Sequence, residues 1–280
     1  MPSVIVDSAM SLYLDFYGLK ENPFSVTPDP RYLYFSPPHR EAYCHIIYGI
    51  EQRKGFIEIT GEVGCGKTTI CRAVLSGLSD NVETALILNP SLTETQLLRA
   101  MLNDFGLQVK GRDRLAYIET LNEFLLDMNK RGLNVALVID EAQDLSPKVM
   151  EQVRLLSNLE TDQHKLIQIV LVGQPELKQR LASTALRQLR QRITVRYHIS
   201  PLTQEQTMVY IEHRLKVAGS DGRIVFVPAA VKLIYKYSRG TPRLINAVCD
   251  MVLLAGYVAG VSTIEARCVK KAIEQLEGSM

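Results

Sequence analysis

The chain lacks the features that mark several functional classes. No stretch approaches the ~20 consecutive apolar residues of a membrane span, and the first residues lack the basic start and apolar run of a signal peptide. The longest apolar segment, from Val248 to Val261, carries Asp250 and two glycines, which predicts a buried helix and no direct membrane insertion. The five cysteines (Cys44, Cys65, Cys71, Cys249, Cys268) are scattered, odd in number and never in a Cys-x-x-Cys pair. A disulfide framework or a zinc site is therefore not expected, and reduced thiols in the cytoplasm are. Charge of one sign is also missing: 32 basic against 30 acidic residues leave a net +2, too balanced for a nucleic-acid coat or a polybasic anchor. Any DNA contact would need a local patch. The five histidines fall singly, so no Ser–His–Asp or Cys–His arrangement is readable, and there is no internal repeat or low-complexity stretch.

What is present is an ordinary globular composition, 46% apolar and 22% charged, in a length of 280 residues that suits two units. The expected division is a tail over residues 1–14, an α/β nucleotide-binding domain with an N-terminal collar over 15–200, and a smaller all-helical domain over 201–280. Met10 would serve as an initiator as well as Met1. From Phe16 to Pro38 aromatic residues alternate with prolines, which favours an extended, ordered collar over helix. Short aliphatic runs predict buried parallel strands at Phe56–Thr60, Thr84–Leu88, Val135–Asp140 and Leu166–Val172. The alternation of Ile193, Val195, Tyr197 and Ile199 predicts a half-exposed edge strand. Leu115, Ile118, Leu121, Leu125 and Met128 recur at helical spacing, and Lys130-Arg131-Gly132 supplies a helix stop. After Pro201 only helices are expected, near 203–218, 228–238, 241–258 and 262–277.

The chemistry begins with Gly61-Glu62-Val63-Gly64-Cys65-Gly66-Lys67-Thr68, a full G-x-x-x-x-G-K-[ST] phosphate loop between a strand and a helix expected to begin at Thr69. Glycines let backbone N–H groups wrap an anion at a helix N-terminus. Lys67 would neutralise the β/γ-phosphates of ATP, and the Thr68 hydroxyl would coordinate Mg²⁺. Cys65 is a bystander whose exposure would make the protein sensitive to thiol reagents. The aliphatic run Val135–Ile139 ends in Asp140 and Glu141, the pattern of a Walker B segment. Asp140 would hold Mg²⁺ through its water shell and Glu141 would activate the attacking water; the bland alternative is a core strand ending in an acidic turn.

Gln174, in Gly173-Gln174-Pro175, follows a strand at the edge where ligands of open α/β sheets collect and would sense the γ-phosphate, or else simply cap the next helix. Arg187, Arg190 and Arg192 form a basic cluster that is either a solvated helix face or the source of a cation delivered to a neighbouring subunit. Arg192 is the first choice for that role and Arg190 the second. Arg243, in Gly240-Thr241-Pro242-Arg243, opens a helix and would point back at the nucleotide as a cis-acting sensor, the alternative being a surface arginine. His39 and the tyrosines before it fit collar packing or adenine contacts.

With these segments in hand, the chain resembles the AAA+ ATPase module of the general secretion pathway protein A family. Phe16-Tyr17-Gly18-Leu19, Asn22-Pro23-Phe24, Thr27-Pro28-Asp29-Pro30 and His39-Arg40-Glu41-Ala42 carry the resemblance most specifically, and it runs from about Tyr13 to near Leu276. The resemblance implies a P-loop AAA+ fold: a five-stranded parallel sheet with the sensor strand between the P-loop and Walker B strands, and a C-terminal helical lid domain. It also implies a cytoplasmic ATPase, peripheral to the inner membrane through a partner, that works on secretion or pilus assembly components and forms an ATP-dependent homo-oligomer in which one subunit lends an arginine to the next. Longer family members continue into a membrane span and a peptidoglycan-binding domain, so the chain is expected to be a short paralogue or a truncated form. The rival is a DNA-associated AAA+ ATPase resembling transposition regulators and replication initiators, which would need a basic DNA-facing surface or an added winged-helix domain.

Overall fold

The computed structural model of the chain describes residues 13–27, 29–109, 111, 113–161 and 164–278. All but the last two residues of the expected tail, together with the alternative start at Met10, lie outside them. The chain divides into two compact units: 37–62 with 67–199, and 13–36 with 63–66 and 200–278.

In the first of these, five strands, β1 (Phe56–Gly61), β2 (Val82–Ile87), β3 (Asn134–Ile139), β4 (Gln168–Gly173) and β5 (Ile193–Ile199), form one sheet in the order β2-β3-β4-β1-β5. Every neighbouring pair is parallel. The sensor strand β4 thus lies between β1 and β3, as expected. All six residues of β1, β3 and β4 are buried; β3 and β4 are aliphatic over Val135–Ile139 and Ile169–Val172, whereas β1 carries Glu58 and Thr60 among Phe56, Ile57 and Ile59. The edge strand β5 alternates instead: Ile193, Val195 and Ile199 are buried while Thr194, Arg196 and His198 are exposed.

The connecting helices are α1 (Pro37–Glu51), α2 (Lys67–Gly77), α3 (Glu94–Asp104), α4 (Arg114–Lys130), α5 (Pro147–Leu156), α6 (Pro175–Leu181) and α7 (Arg187–Arg192). Helix α4 stops where its sequence requires, with Arg131 as C-cap and Gly132 at φ +75°. Helix α3 begins with a reciprocal capping box between Thr93 and Gln96. Because the strands are parallel and in register, with Thr60 opposite Gly173 and Ile139 opposite Leu171, their C-terminal ends share one edge of the sheet.

The other unit contains α8 (Gln204–Val217), α9 (Pro228–Ser238), α10 (Pro242–Val258) and α11 (Ala266–Glu277). The expectation of helices alone is corrected by a two-residue parallel pair, β6 (Val225–Phe226) with β7 (Thr263–Ile264). Thr263 and Ile264 pair with Val225 and Phe226, the buried Ile264 and Phe226 facing the core, so the last helix starts at Ala266 rather than 262. The collar, expected within the α/β domain, packs with these helices as part of one unit. Tyr17, Phe24 and Tyr32 share a core with Tyr210, Ile211, Val252 and Leu253. The Tyr17 hydroxyl is shared between the carbonyls of Leu253 and Val261, each at 3.1 Å, and Arg214 donates to the carbonyls of Pro23 and Ser25. The Arg214 guanidinium thus satisfies two carbonyls of the proline-rich segment that have no ladder partner. No helix among the described residues is long and apolar enough to cross a membrane.

Candidate nucleotide site

Three of the strand ends at the shared edge carry the predicted residues of the α/β unit. After β1 the chain turns through the glycine-rich loop and enters α2 at Lys67, two residues earlier than Thr69, so Lys67, Thr68 and Thr69 form the first helical turn. The loop needs its glycines: Gly64 has φ +77° and Gly66 φ +94°, in the region that side chains disfavour. Lys67 is buried at 6% exposure and folds back so that Nζ donates to the carbonyls of Gly61 (2.9 Å) and Glu62 (3.1 Å).

Thr68 Oγ1 donates to Asp140 Oδ2 at 2.5 Å, and the Asp140 amide donates to the carbonyl of Ile87, tying the end of β3 to β2. Burial pushes the Asp140 carboxyl above the usual carboxylate range, opposed by the Thr68 hydroxyl and the Glu141 N–H that donate to it. A hydroxyl and a carboxylate side by side are hard oxygen donors of the kind Mg²⁺ takes beside its retained waters and substrate phosphates, so the donor set fits that ion.

Glu141 has φ +50°, a left-handed conformation uncommon for a residue with a side chain. Its Oε2 accepts from Gln174 Nε2 (3.2 Å) and from Gln143 Nε2 (2.9 Å). Gln174 does stand at the N-cap of α6, but its side chain makes no capping bond and goes to Glu141 instead. Gln143 was not singled out from the sequence. Its type and place, an amide two residues beyond a Walker B glutamate, carry no periodic or motif signal, and only the adjacency of β3 and β4 reveals its contacts.

Arg192 ends α7, half-buried, with Nη1 donating to the buried Ser157 hydroxyl at 2.7 Å. Arg187 and Arg190 are exposed. Arg192 is thus engaged within its own unit and is not brought to the strand ends by any contact.

In the helical unit, which includes loop residues 63–66, the Arg243 N–H donates to the Gly64 carbonyl at 3.1 Å while the Arg243 side chain is exposed. A Cβ on Gly64 would stand 2.5 Å from the Arg243 Cβ, so this approach requires glycine. Val63 and Glu62 are exposed. Cys65 is buried at 1% exposure, which overturns the expected sensitivity to thiol reagents: the turn between two positive-φ glycines leaves its thiol inside, and the exposed cysteine is Cys44. His39 is buried near the start of α1.

The fold and this loop define an α/β P-loop domain of the AAA+ type with a helical C-terminal region. A family described as an AAA domain matches residues 50–181. The more particular kinship is with general secretion pathway protein A: the chain is 44% identical over 268 residues to that protein of Aeromonas hydrophila, across 95% of its own length and 49% of the relative's. The chain is thus similar to general secretion pathway protein A over nearly its whole length, and it spans about half the length of that relative. Among solved structures it is similar in fold to the Aeropyrum pernix ORC2 protein, with a TM-score of 0.67 and 18% identity over 91% of this chain and 71% of the other. Cdc6p from Pyrobaculum aerophilum gives 0.67 and 21% over 90% and 70%.

Proposed function

We propose that the chain binds and hydrolyses Mg-ATP and that this cycle drives or switches assembly of a secretion or pilus-type apparatus of the cell envelope. The observation that carries the hydrolytic half is the convergence of Lys67, the Thr68–Asp140 pair and the Glu141–Gln174 pair at one sheet edge. In this reading the loop N–H groups cradle the phosphates, and Lys67 exchanges its two carbonyl partners for β/γ-phosphate oxygens. Thr68 and Asp140 would hold Mg²⁺, which when bound neutralises charge on the phosphates. Glu141 takes a proton from the attacking water and Gln174 senses the γ-phosphate. Arg243 serves as the cis cation beside the loop. The envelope half rests on the kinship with general secretion pathway protein A alone. The likeness to origin-recognition proteins, at 18% and 21% identity, is one of fold and lends no support to a DNA role.

Nucleotide binding and steady-state hydrolysis test the reading. Lys67→Ala should lose ATP binding, whereas Glu141→Gln should bind ATP and cleave it at no more than a small residual rate. Wild-type turnover in the glutamine variant would defeat the assignment.

A further inference from the structure

The Gln143 carboxamide sits between the two groups on which the hydrolytic reading rests. It is 8% exposed, in the 3-10 turn Ala142–Asp144 that follows Glu141. Its Oε1 accepts the backbone N–H of Gln174 at 3.0 Å. Its Nε2 donates to Glu141 Oε2 at 2.9 Å and to Asp144 Oδ2 at 3.3 Å. This network fixes which way the amide points, because the reversed amide would set oxygen against two carboxylates and NH₂ against an N–H.

The turn is itself held. Arg180 of α6 donates Nη1 to the Gln143 carbonyl and Nη2 to the Leu145 carbonyl, the latter at 2.5 Å. On the far side, Gly173 makes room for the amide: a Cβ there would stand 2.8 Å from Gln143 Oε1. A buried polar group with every contact satisfied, beside a glutamate at φ +50°, describes a geometry that its surroundings maintain.

We propose that Gln143 is a positioning residue for ATP hydrolysis, aiming the Glu141 carboxylate and coupling it to the backbone of Gln174 at the head of α6. The inference rests on the proposed role of Glu141. A shift of α6 when Gln174 engages the γ-phosphate would pass through the Gln143 amide to the carboxylate, so the water-activating group would be aligned only when the sensor is. Arg180 extends the same link, since it belongs to α6 and grips the turn that carries Gln143.

The test measures ATP turnover and nucleotide affinity for Gln143→Met and Gly173→Ala, each alone and combined with Glu141→Gln. Methionine keeps the volume and removes both hydrogen-bonding ends; alanine at 173 leaves Gln143 in place but crowds its oxygen at 2.8 Å and, less closely, the Leu177 side chain at 3.0 Å. Each single variant should lose on the order of 10²-fold in kcat, the scale of a small misplacement of a reacting group, with nucleotide Kd unchanged. Gln143→Glu, of native size, places a third carboxylate beside Glu141 and Asp144 and should lose more. In the Glu141→Gln background, where the group being aimed is gone, neither variant should reduce the residual rate further. Wild-type kcat in Gln143→Met overturns the proposal, as does an equal fold-loss on top of Glu141→Gln, which is what a merely structural role would give. If Gln143→Met does not fold, Gly173→Ala and Gln143→Glu decide by the same readouts. Failure of the parent reading is seen separately, as wild-type turnover in Glu141→Gln alone.

Discussion

The Thr68 hydroxyl donates to Asp140 Oδ2 at 2.5 Å, joining the first turn of α2 to the end of β3 although 72 residues separate them. The two groups proposed to share one Mg²⁺ are thereby preset as neighbours. Thr68→Ala and Asp140→Asn should each weaken Mg²⁺-dependent ATP binding on the order of 10–100-fold, the range seen when a metal site loses one supporting partner. Binding measured in chelator should change little. Titration of Mg²⁺ at fixed nucleotide checks this, and equal loss with and without the ion would remove the metal assignment.

Arg243→Ala separates a side-chain role from a backbone one. The N–H bond to Gly64 at 3.1 Å survives the substitution, so the loop stays in place while the guanidinium goes. A charge-assisted hydrogen bond contributes about 1.5–3 kcal/mol, which predicts a fall in turnover on the order of 10–100-fold. The fall should appear at low protein concentration, since the cation is proposed to serve its own chain's nucleotide. Unchanged kinetics would return Arg243 to the surface.

Arg214 is buried, lies over the Tyr32 ring at 4.6 Å and donates to the Pro23 and Ser25 carbonyls and to the Tyr210 hydroxyl. Arg214→Met should cost roughly 2–3 kcal/mol of stability, because it leaves those acceptors without their charged donor. Denaturant unfolding reads the loss. Limited proteolysis should also cut the collar faster than in the wild type.

Much of this architecture was legible as local pattern, and the misses have physical causes. β5 was readable to the residue because half-burial writes itself as alternation, and β3 because a strand covered on both faces is aliphatic over most of its length. Helix α1 was missed because Pro37 and Pro38 read as the end of the collar, although proline is at home in a first helical turn. Helix α3 was overlooked despite a signal: Thr93 and Gln96 carry the capping-box spacing. The strands β6 and β7 are two residues each, too short for any period. In the candidate site, the phosphate loop and the Asp140-Glu141 pair are contiguous motifs, whereas Gln143 acquires its partners only through tertiary pairing. The burial of Cys65 depends on how the loop turns, which residue types alone do not state.

Asp250 gives a pH signature. Burial raises its carboxyl above the usual range, opposed by the amide of Asn22 donating to Oδ1 at 3.0 Å. A carboxyl with a raised folded value favours the fold while protonated, and that contribution is lost as pH rises through the folded value. Asp250→Asn keeps an acceptor for Asn22 and removes the ionisation. The variant should therefore melt above the wild type at pH 7, with the difference shrinking towards about pH 4 and below, where the unfolded chain also protonates. Melting curves across that window check the sign.

The last prediction concerns assembly. One chain is proposed to supply Lys67, the Thr68–Asp140 pair, Glu141 and Arg243, and a neighbouring copy the remaining cation for the transition state. Arg192 donates to Ser157 at 2.7 Å, and the exposed Arg190 donates to the Ala182 carbonyl at 3.5 Å, so both are candidates for that cation. Specific activity should therefore rise with protein concentration, and ATP should promote a head-to-tail oligomer, most clearly in Glu141→Gln, where the bound nucleotide persists. Arg190→Ala and Arg192→Ala should each bind ATP normally, and the one that removes the donated cation should lose on the order of 10³-fold in turnover. Mixing that variant with Lys67→Ala subunits should restore part of the activity, because some interfaces then pair an intact arginine with an intact phosphate loop. Such rescue requires an interface that presents different surfaces on its two sides. If Arg192→Ala loses turnover but is not rescued by mixing, its bond to Ser157 is a structural one and Arg190 becomes the donor to test. Concentration-independent activity from a strict monomer, with full turnover in both arginine variants, would defeat the oligomer while leaving the phosphate-loop assignment intact.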